Sequence, residues 1–86
     1  SLMQEIPVYP NPTSDLLYID LSGIEGHNIT VEFLTMDGKS QGMTILNSGL
    51  NEVTLQRVIG DQSGLIIYKI KEGAKTIRLG KVLIQR

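Results

Sequence analysis

Short segments in which every second residue is apolar recur along this 86-residue chain. The clearest is Asn28–Leu34, where Ile29, Val31 and Phe33 alternate with polar residues. A period of two sends successive side chains to opposite faces of a β-strand, so one face can enter a core. The chain also has eleven isoleucines, five valines and six threonines but a single alanine. Because β-branched residues favour strands and alanine favours helices, we predict an all-β domain.

Length and composition limit the chain to one small globular domain. Hydrophobic residues make up 41% and charged residues 20% of the sequence, unlike the polar profile of a disordered chain. The absence of cysteine excludes disulfide scaffolds, thiolate nucleophiles and cysteine-ligated metals. With a net charge of -1, the chain has no overall positive potential that would attract nucleic acid. No apolar run is long enough to span a membrane. We interpret residues 1–5 as a linker or cloning remnant and residues 6–86 as the domain.

Turn signals divide the domain into seven predicted strands with an irregular crossover at residues 57–63. The strands are Ile6–Tyr9, Leu16–Leu21, Asn28–Leu34, Lys39–Leu46, Asn51–Gln56, Gly64–Lys71 and Lys75–Gln85. Strands this short, separated by turns, predict a seven-stranded antiparallel β-sandwich of immunoglobulin-like type. The alternating positions predict a core of Val31, Phe33, Val53, Leu55, Ile66, Tyr68, Ile70 and Leu79.

Local features refine this pattern. Asp37-Gly38 predicts a type I′ hairpin turn, because these residue types accept positive φ angles. In the last strand the apolar positions change from odd to even numbers after Leu79, so we place a β-bulge at Gly80. We predict a second bulge at Gly42, a glycine within the strand Lys39–Leu46.

The sequence offers little for catalysis or metal binding. Its single histidine, His27, stands in a loop with glycine, where we interpret it as a solvated turn residue. Asp15, Asp20 and Asp37 lie beside turns without the dense spacing of a calcium loop, so we interpret them as turn caps. A single turn-bound cation is the alternative for these carboxylates. We predict a protein that is not an enzyme, with no catalytic residue, cofactor or metal.

Charge is divided unevenly along the chain. Residues 69–86 carry six lysines and arginines and one glutamate, a net of +5, and residues 1–68 carry a net of −6. Lysines on a terminal strand protect a sheet edge from aggregation, and the same charges can form a docking stripe for an acidic partner. On the second interpretation Lys75, Arg78 and Lys81 point outward. The last strand then also presents free backbone groups at a sheet edge for strand addition.

Three blocks of sequence resemble a known family in their order and spacing. They are Val8–Ser14 (VYPNPTS) before an alternating strand, the turn Met36–Lys39 (MDGK), and a closing block of Ser63–Ile70 (SGLIIYKI) and Gly80–Arg86 (GKVLIQR). With these blocks, residues 6–86 resemble the C-terminal sorting domain of the type IX secretion system. Ile66 departs from the family pattern, which has an aromatic residue two positions after the glycine; Tyr68 follows two residues later.

The resemblance implies a sorting signal at the end of a larger secreted protein of Bacteroidetes-type bacteria. Such a domain crosses the periplasm with its cargo, is recognised by the outer-membrane translocon and is removed by a sortase-like peptidase that cuts on its N-terminal side. The cargo then reaches the cell surface or the medium. We expect the isolated domain to be a monomer without a membrane span. Arg86, directly after an apolar strand, agrees with a signal that ends a protein.

Candidate residues for translocon recognition follow from the blocks and from the charge asymmetry. They are Pro10, Asn11, Pro12, Asp37, Gly38, Gly64, Lys75, Arg78, Gly80, Lys81, Val82, Leu83, Ile84 and Arg86. The two prolines are expected to fix the entry of the chain into the sandwich by restricting the backbone. The alternatives are an adhesive or carbohydrate-binding immunoglobulin-like module, for which four aromatic residues supply little surface, and a structural spacer.

Overall fold

The computed structural model describes residues 5–86, so residues 1–4 of the predicted linker lie outside it. The elements, in chain order, are β1 (Val8–Tyr9), β2 (Leu16–Asp20), β3 (Ile29–Leu34), β4 (Ser40–Ile45), β5 (Leu50–Thr54), α1 (Leu55–Ile59), β6 (Gly64–Glu72) and β7 (Lys75–Ile84). They form a three-stranded sheet, β1-β2-β5, and a four-stranded sheet, β4-β3-β6-β7. Adjacent strands in both sheets are antiparallel. The predicted seven-stranded antiparallel sandwich is confirmed, and its immunoglobulin-like subclass stays a prediction.

The core lies between the two sheets and is filled by alternate residues of the strands. Its largest fully buried side chains are Phe33, Leu17, Ile19, Leu21, Leu55, Ile70, Ile84, Val31 and Val82. All of the predicted core residues except Leu79 are buried. The prediction for Leu79 was wrong, since its side chain is 48% exposed.

The position of the bulge in β7 explains the error at Leu79. Ile70 pairs with Arg78, but the next residue of β6, Lys71, pairs with Thr76, so Ile77 is the additional residue. The bulge is therefore at Ile77 and not at Gly80 as predicted. Beyond the bulge, even-numbered residues of β7 face the core and Leu79 faces solvent, because a one-residue shift exchanges the two faces of a strand.

Gly80 is a regular residue of β7, directly opposite Tyr68. A Cβ atom at position 80 would lie 2.4 Å from Cζ of the Tyr68 ring. The Tyr68 ring thus occupies the space that a side chain at position 80 would fill. Glycine is needed here for close approach and not for a bulge.

The hairpin between β3 and β4 differs from the predicted type I′ turn. Gly38 has φ of 91°, whereas Asp37 does not have a positive φ. The Gly38 N–H donates to the Thr35 carbonyl oxygen at 2.8 Å, and the Thr35 N–H donates to the Lys39 carbonyl oxygen at 2.9 Å. This pattern is the three-residue loop in which only the last residue is left-handed, so only that position requires glycine.

The predicted bulge near Gly42 is displaced by one residue. Phe33 pairs with Gly42 and Leu34 with Ser40, so the additional residue is Gln41. Gly42 instead faces helix α1, where an added Cβ atom would lie 2.3 Å from the Val58 carbonyl oxygen.

Helix α1 begins where the predicted fifth strand would continue to Gln56. The Leu55 N–H donates to the Asp15 carbonyl oxygen at 2.9 Å, and the Gln56 N–H donates to Oδ1 of Asp15 at 3.0 Å. Both acceptors satisfy N–H groups that the first turn of a helix leaves free. Leu55 and Ile59 bury their side chains in the core, which holds this single turn in place.

Candidate recognition site

The N-terminal corner, residues 10–15, lies along the outer edge of β7. Asn11 contacts two residues of that strand through its side-chain amide. Its Nδ2 donates to the Lys81 carbonyl oxygen at 3.0 Å, and its Oδ1 accepts from the Leu83 N–H at 3.0 Å. The side chain thereby takes the place that the backbone of a further strand would occupy.

Thr13 continues this pairing towards the end of β7. Its N–H donates to the Leu83 carbonyl oxygen at 2.9 Å, and its carbonyl oxygen accepts from the Gln85 N–H at 2.8 Å. The Thr13 side chain is buried, and its hydroxyl donates to the Leu16 carbonyl oxygen. The N-terminal corner and β7, about 70 residues apart in sequence, therefore form one unit.

This unit limits the strand addition that the sequence predicted for β7. Asn11 and Thr13 already engage four outward backbone groups, namely the Lys81 carbonyl, the Leu83 N–H and carbonyl, and the Gln85 N–H. Alternation along the strand directs the N–H and carbonyl of Leu79 to the same edge, where they have no partner within residues 5–86. The free part of the edge is thus its first half, on the side of the bulge.

Arg86 is held against the domain by four acceptors from two segments. Its Nη1 donates to Oδ1 of Asp15 at 2.9 Å and to the Ser14 carbonyl oxygen at 3.4 Å. Its Nε donates to the Gln62 carbonyl oxygen at 2.8 Å, and Nη2 donates to that of Gly60 at 3.0 Å. The side chain thus connects the end of β7 to the N-terminal corner and to the crossover, and its charge is compensated inside the domain.

Asp15 is the acidic partner in this contact. The hydrogen bond from the Arg86 guanidinium, the N–H of Gln56 and the charge of Arg86 together hold the pKa of the Asp15 carboxyl below its usual range. The same carboxylate oxygen therefore caps α1 and binds Arg86.

The six basic residues of the segment 69–86 do not form one stripe. Arg78 pairs with the buried Ile70 and lies on the core side of the sheet, with a buried Nε that has no partner within the described residues. Lys75 pairs with Glu72 at the hairpin tip. Alternation places Lys69, Lys71 and Lys81 on the outer face of the sheet. The prediction that Arg78 points outward with Lys75 and Lys81 was wrong, because Arg78 lies on the core side.

Lys71 is the lysine of the outer face that is already paired. Its Nζ lies 3.2 Å from Oε1 of Glu32 on β3. The Ser40 hydroxyl and the Lys71 ammonium lower the pKa of the Glu32 carboxyl. Within residues 5–86, Lys69 and Lys81 have no ion pair and no side-chain hydrogen bond.

The other predicted site residues lie at defined places in the fold. Val82 and Ile84 are buried in the core, so their side chains are closed to a partner while the domain is folded. Gly64 opens β6 opposite Ile84 with φ of 97°. Register places the Asp37-Gly38 turn, at the end of β3, at the same end of the sandwich as Gly64 and the N-terminal corner.

The sequence did not reveal the contacts that the N-terminal corner and Arg86 make within the domain. Asn11 and Arg86 were candidates for contact with a partner, and the roles of Thr13 and Asp15 in holding β7 and Arg86 were not foreseen. A polar side chain carries no local signal for a hydrogen bond to a residue 70 positions away. Their partners became visible only in the folded chain.

The described residues show few features of a catalytic or ligand site. No three histidine or acidic side chains within residues 5–86 come together as metal ligands. The Tyr9 and Tyr18 rings stack on each other, with centroids 5.6 Å apart, so they do not lie side by side as a flat platform for a sugar. No helix in this part of the chain is long and apolar enough to cross a membrane.

Fold and site together define a small β-sandwich module whose first and last segments are joined. The sequence matches the family model of the secretion system C-terminal sorting domain over residues 7–85, so the chain belongs to that family. No curated protein matches the sequence significantly. The domain is thus a type IX sorting signal of a secreted or cell-surface protein that passes through the periplasm, with the secretion machinery as its partner. The family is one of sorting signals and not of enzymes.

Proposed function

We propose that the outer-membrane translocon recognises this domain as a folded sandwich and that a sortase-like peptidase then removes it. The family match across residues 7–85 carries the proposal, because it spans both the N-terminal corner and β7. The hydrogen bonds from Asn11 and Thr13 to β7 support recognition of a folded unit, since each of these segments needs the other. The host would be a bacterium of the Bacteroidetes type.

Deletion of Leu83–Arg86 alone is a poor test of recognition. Leu83 holds the N-terminal corner, Ile84 lies in the core, and Arg86 joins the corner to the crossover. The deletion therefore removes structure together with any recognition residue. We expect it to abolish export because the sandwich no longer closes.

A reporter protein fused to this chain, behind a secretory signal, tests the proposal in a type IX-secreting host. We expect the fusion to reach the cell surface in the parent strain and to accumulate in the periplasm of a strain without the translocon. Retention of the wild-type fusion in both strains would refute the sorting function. Surface delivery that is equal in both strains would refute it as well.

Removal of the domain by the peptidase is tested by locating the C-terminus of the delivered reporter. We expect the peptidase to cut in the linker before Ile6, because the buried Ile6 side chain already belongs to the core of the domain. Mass spectrometry of the surface reporter should find a C-terminus ahead of Ile6. A delivered reporter that keeps residues 6–86 would leave sorting intact and contradict cleavage.

A further inference from the structure

The outer face of β6 and β7 carries a surface that we call the outer patch, formed by Leu65, Ile67, Lys69, Leu79, Lys81 and Leu83. Register places these residues directly across from one another in three pairs: Leu65 with Leu83, Ile67 with Lys81, and Lys69 with Leu79. Side chains that face each other in this way lie close enough to form one continuous surface. The bulge at Ile77 creates it, because the bulge turns Leu79, Lys81 and Leu83 outward.

The apolar part of the outer patch is open to solvent. Leu65 and Leu79 are each 48% exposed, while Ile67 and Leu83 are half-buried. Scattered exposed leucines are common on protein surfaces, but a cluster rimmed by polar groups is typical of an interaction site. In the outer patch two lysines supply these polar groups, with Lys81 opposite Ile67 and Lys69 opposite Leu79.

Neither lysine of the outer patch forms an ion pair within residues 5–86. Glu32 lies opposite Lys69 and the charge of Lys69 helps to lower its pKa, but its ion pair is with Lys71, and Arg86 is bound by Asp15. Lys69 and Lys81 therefore remain as two cations on an apolar surface, without an ion pair in residues 5–86. A partner that fits would place apolar side chains against the leucines and carboxylates against the lysines.

We propose that the outer patch docks onto an acidic, apolar-centred surface of a protein of the secretion machinery. This inference rests on the proposed sorting function and names the surface that is read. The neighbouring N-terminal corner fixes the patch, since Asn11 binds the backbone of Lys81 and Leu83 and holds both residues in place.

Charge reversal within the outer patch tests the inference in the reporter fusion. The double substitution Lys69→Glu/Lys81→Glu should lower surface delivery about tenfold or more, because like charges then face each other in the complex. The matched control is Lys39→Glu/Arg57→Glu, which makes the same change of charge in the β3–β4 hairpin and in α1. Circular dichroism and urea midpoints of each purified variant establish that it is folded.

Removal of the apolar part provides a second set of variants. Leu65→Ser/Leu79→Ser should also lower delivery, whereas Ile45→Ser/Leu50→Ser should not, although all four side chains are exposed. Neither pair should change the urea midpoint greatly, since exposed positions contribute little to stability. Equal delivery of wild type and of both folded outer-patch variants would overturn the inference.

The outcomes separate this inference from the sorting function. If wild type and both folded outer-patch variants are delivered equally, the outer patch is not the docking surface but sorting stands. If wild type is not delivered, both fail. Suppressor mutations that exchange an acidic residue of a secretion component for lysine or arginine would support a protein partner. Binding of this chain to phosphatidylglycerol vesicles that is lost in the charge-reversed variant would overturn it in favour of a lipid surface.

Discussion

Gly80 occupies the place where the Tyr68 ring crosses β7, and this contact decides which side chain position 80 can carry. Gly80→Ala would put a Cβ atom 2.4 Å from the ring, so Tyr68 would have to move within a packed core. We expect a loss of about 1–3 kcal/mol in the free energy of unfolding, the usual cost of overpacking. Urea denaturation measures it.

Gly23→Ala is the matched control, because no atom lies within 4 Å of an added Cβ there. Its urea midpoint should stay close to that of the wild type. If Gly80→Ala is as stable as Gly23→Ala, the ring does not need the space that glycine leaves.

Phe33 is the largest fully buried side chain of the core. Phe33→Ala should cost about 3–5 kcal/mol, since it removes apolar contacts and leaves a cavity. A domain of this size has little stability to lose, so much of the variant should be unfolded at 37 °C. Near-UV and far-UV circular dichroism would measure the folded fraction, and a variant as stable as wild type would contradict the described core.

At the scale of the elements, β7 is an edge strand that is half covered and half open. The N-terminal corner covers residues 81–85, and the bulge at Ile77 bends the open half. A bulge and a covering loop are two devices by which sheets avoid edge-to-edge pairing. Edge protection by lysines, one of the two interpretations of the basic segment, is thus needed only near the bulge.

Asn11→Ala tests how strongly the corner holds β7. It removes one donor and one acceptor from the strand edge, and we expect a loss of about 1 kcal/mol in stability. The Leu83 amide should exchange with solvent faster than in wild type, which NMR hydrogen exchange can follow. Ser14→Ala is the control, because the Ser14 side chain makes no hydrogen bond within residues 5–86. Unchanged protection of the Leu83 N–H from exchange in Asn11→Ala would mean that water replaces the Asn11 side-chain amide without loss of stability.

At the scale of the whole molecule, the contact between Asp15 and Arg86 makes stability depend on pH. The Asp15 pKa is lower in the folded chain than in the unfolded chain, where it has its usual value. The unfolded chain therefore binds a proton more readily as the pH falls. The stabilisation is complete above the usual aspartate pKa and is lost as the pH falls through the folded pKa.

Arg86→Gln should flatten this acid dependence. The wild type should lose stability on acidification from pH 7 to pH 3, and the variant should lose less, because its Asp15 lacks the guanidinium that lowers the pKa. Urea midpoints at several pH values give both curves. Parallel curves would show that the contact does not form in solution.

The local patterns of the sequence determined the fold class and most of the core. Alternation from Ile29 to Phe33 and from Ile66 to Ile70 predicted buried faces correctly, because the period of a strand is set by its own residues. Turn chemistry located the hairpin at Gly38 but not its type, since the loop length depends on how β3 and β4 pair. The family blocks were recognisable for the same reason: each is a short, continuous segment.

Only the tertiary structure decided which groups of the candidate site are free. The sequence placed the bulge at Gly80 because that residue interrupts the apolar pattern, whereas the Tyr68 ring on the neighbouring strand explains the glycine. Register placed Arg78 on the core side of the sheet and Lys81 on the outer face, and Arg86 found its acceptors in segments 24 to 72 residues away. Contacts of this range depend on how two sheets pack, and the residues that make them carry no local sign of their partners.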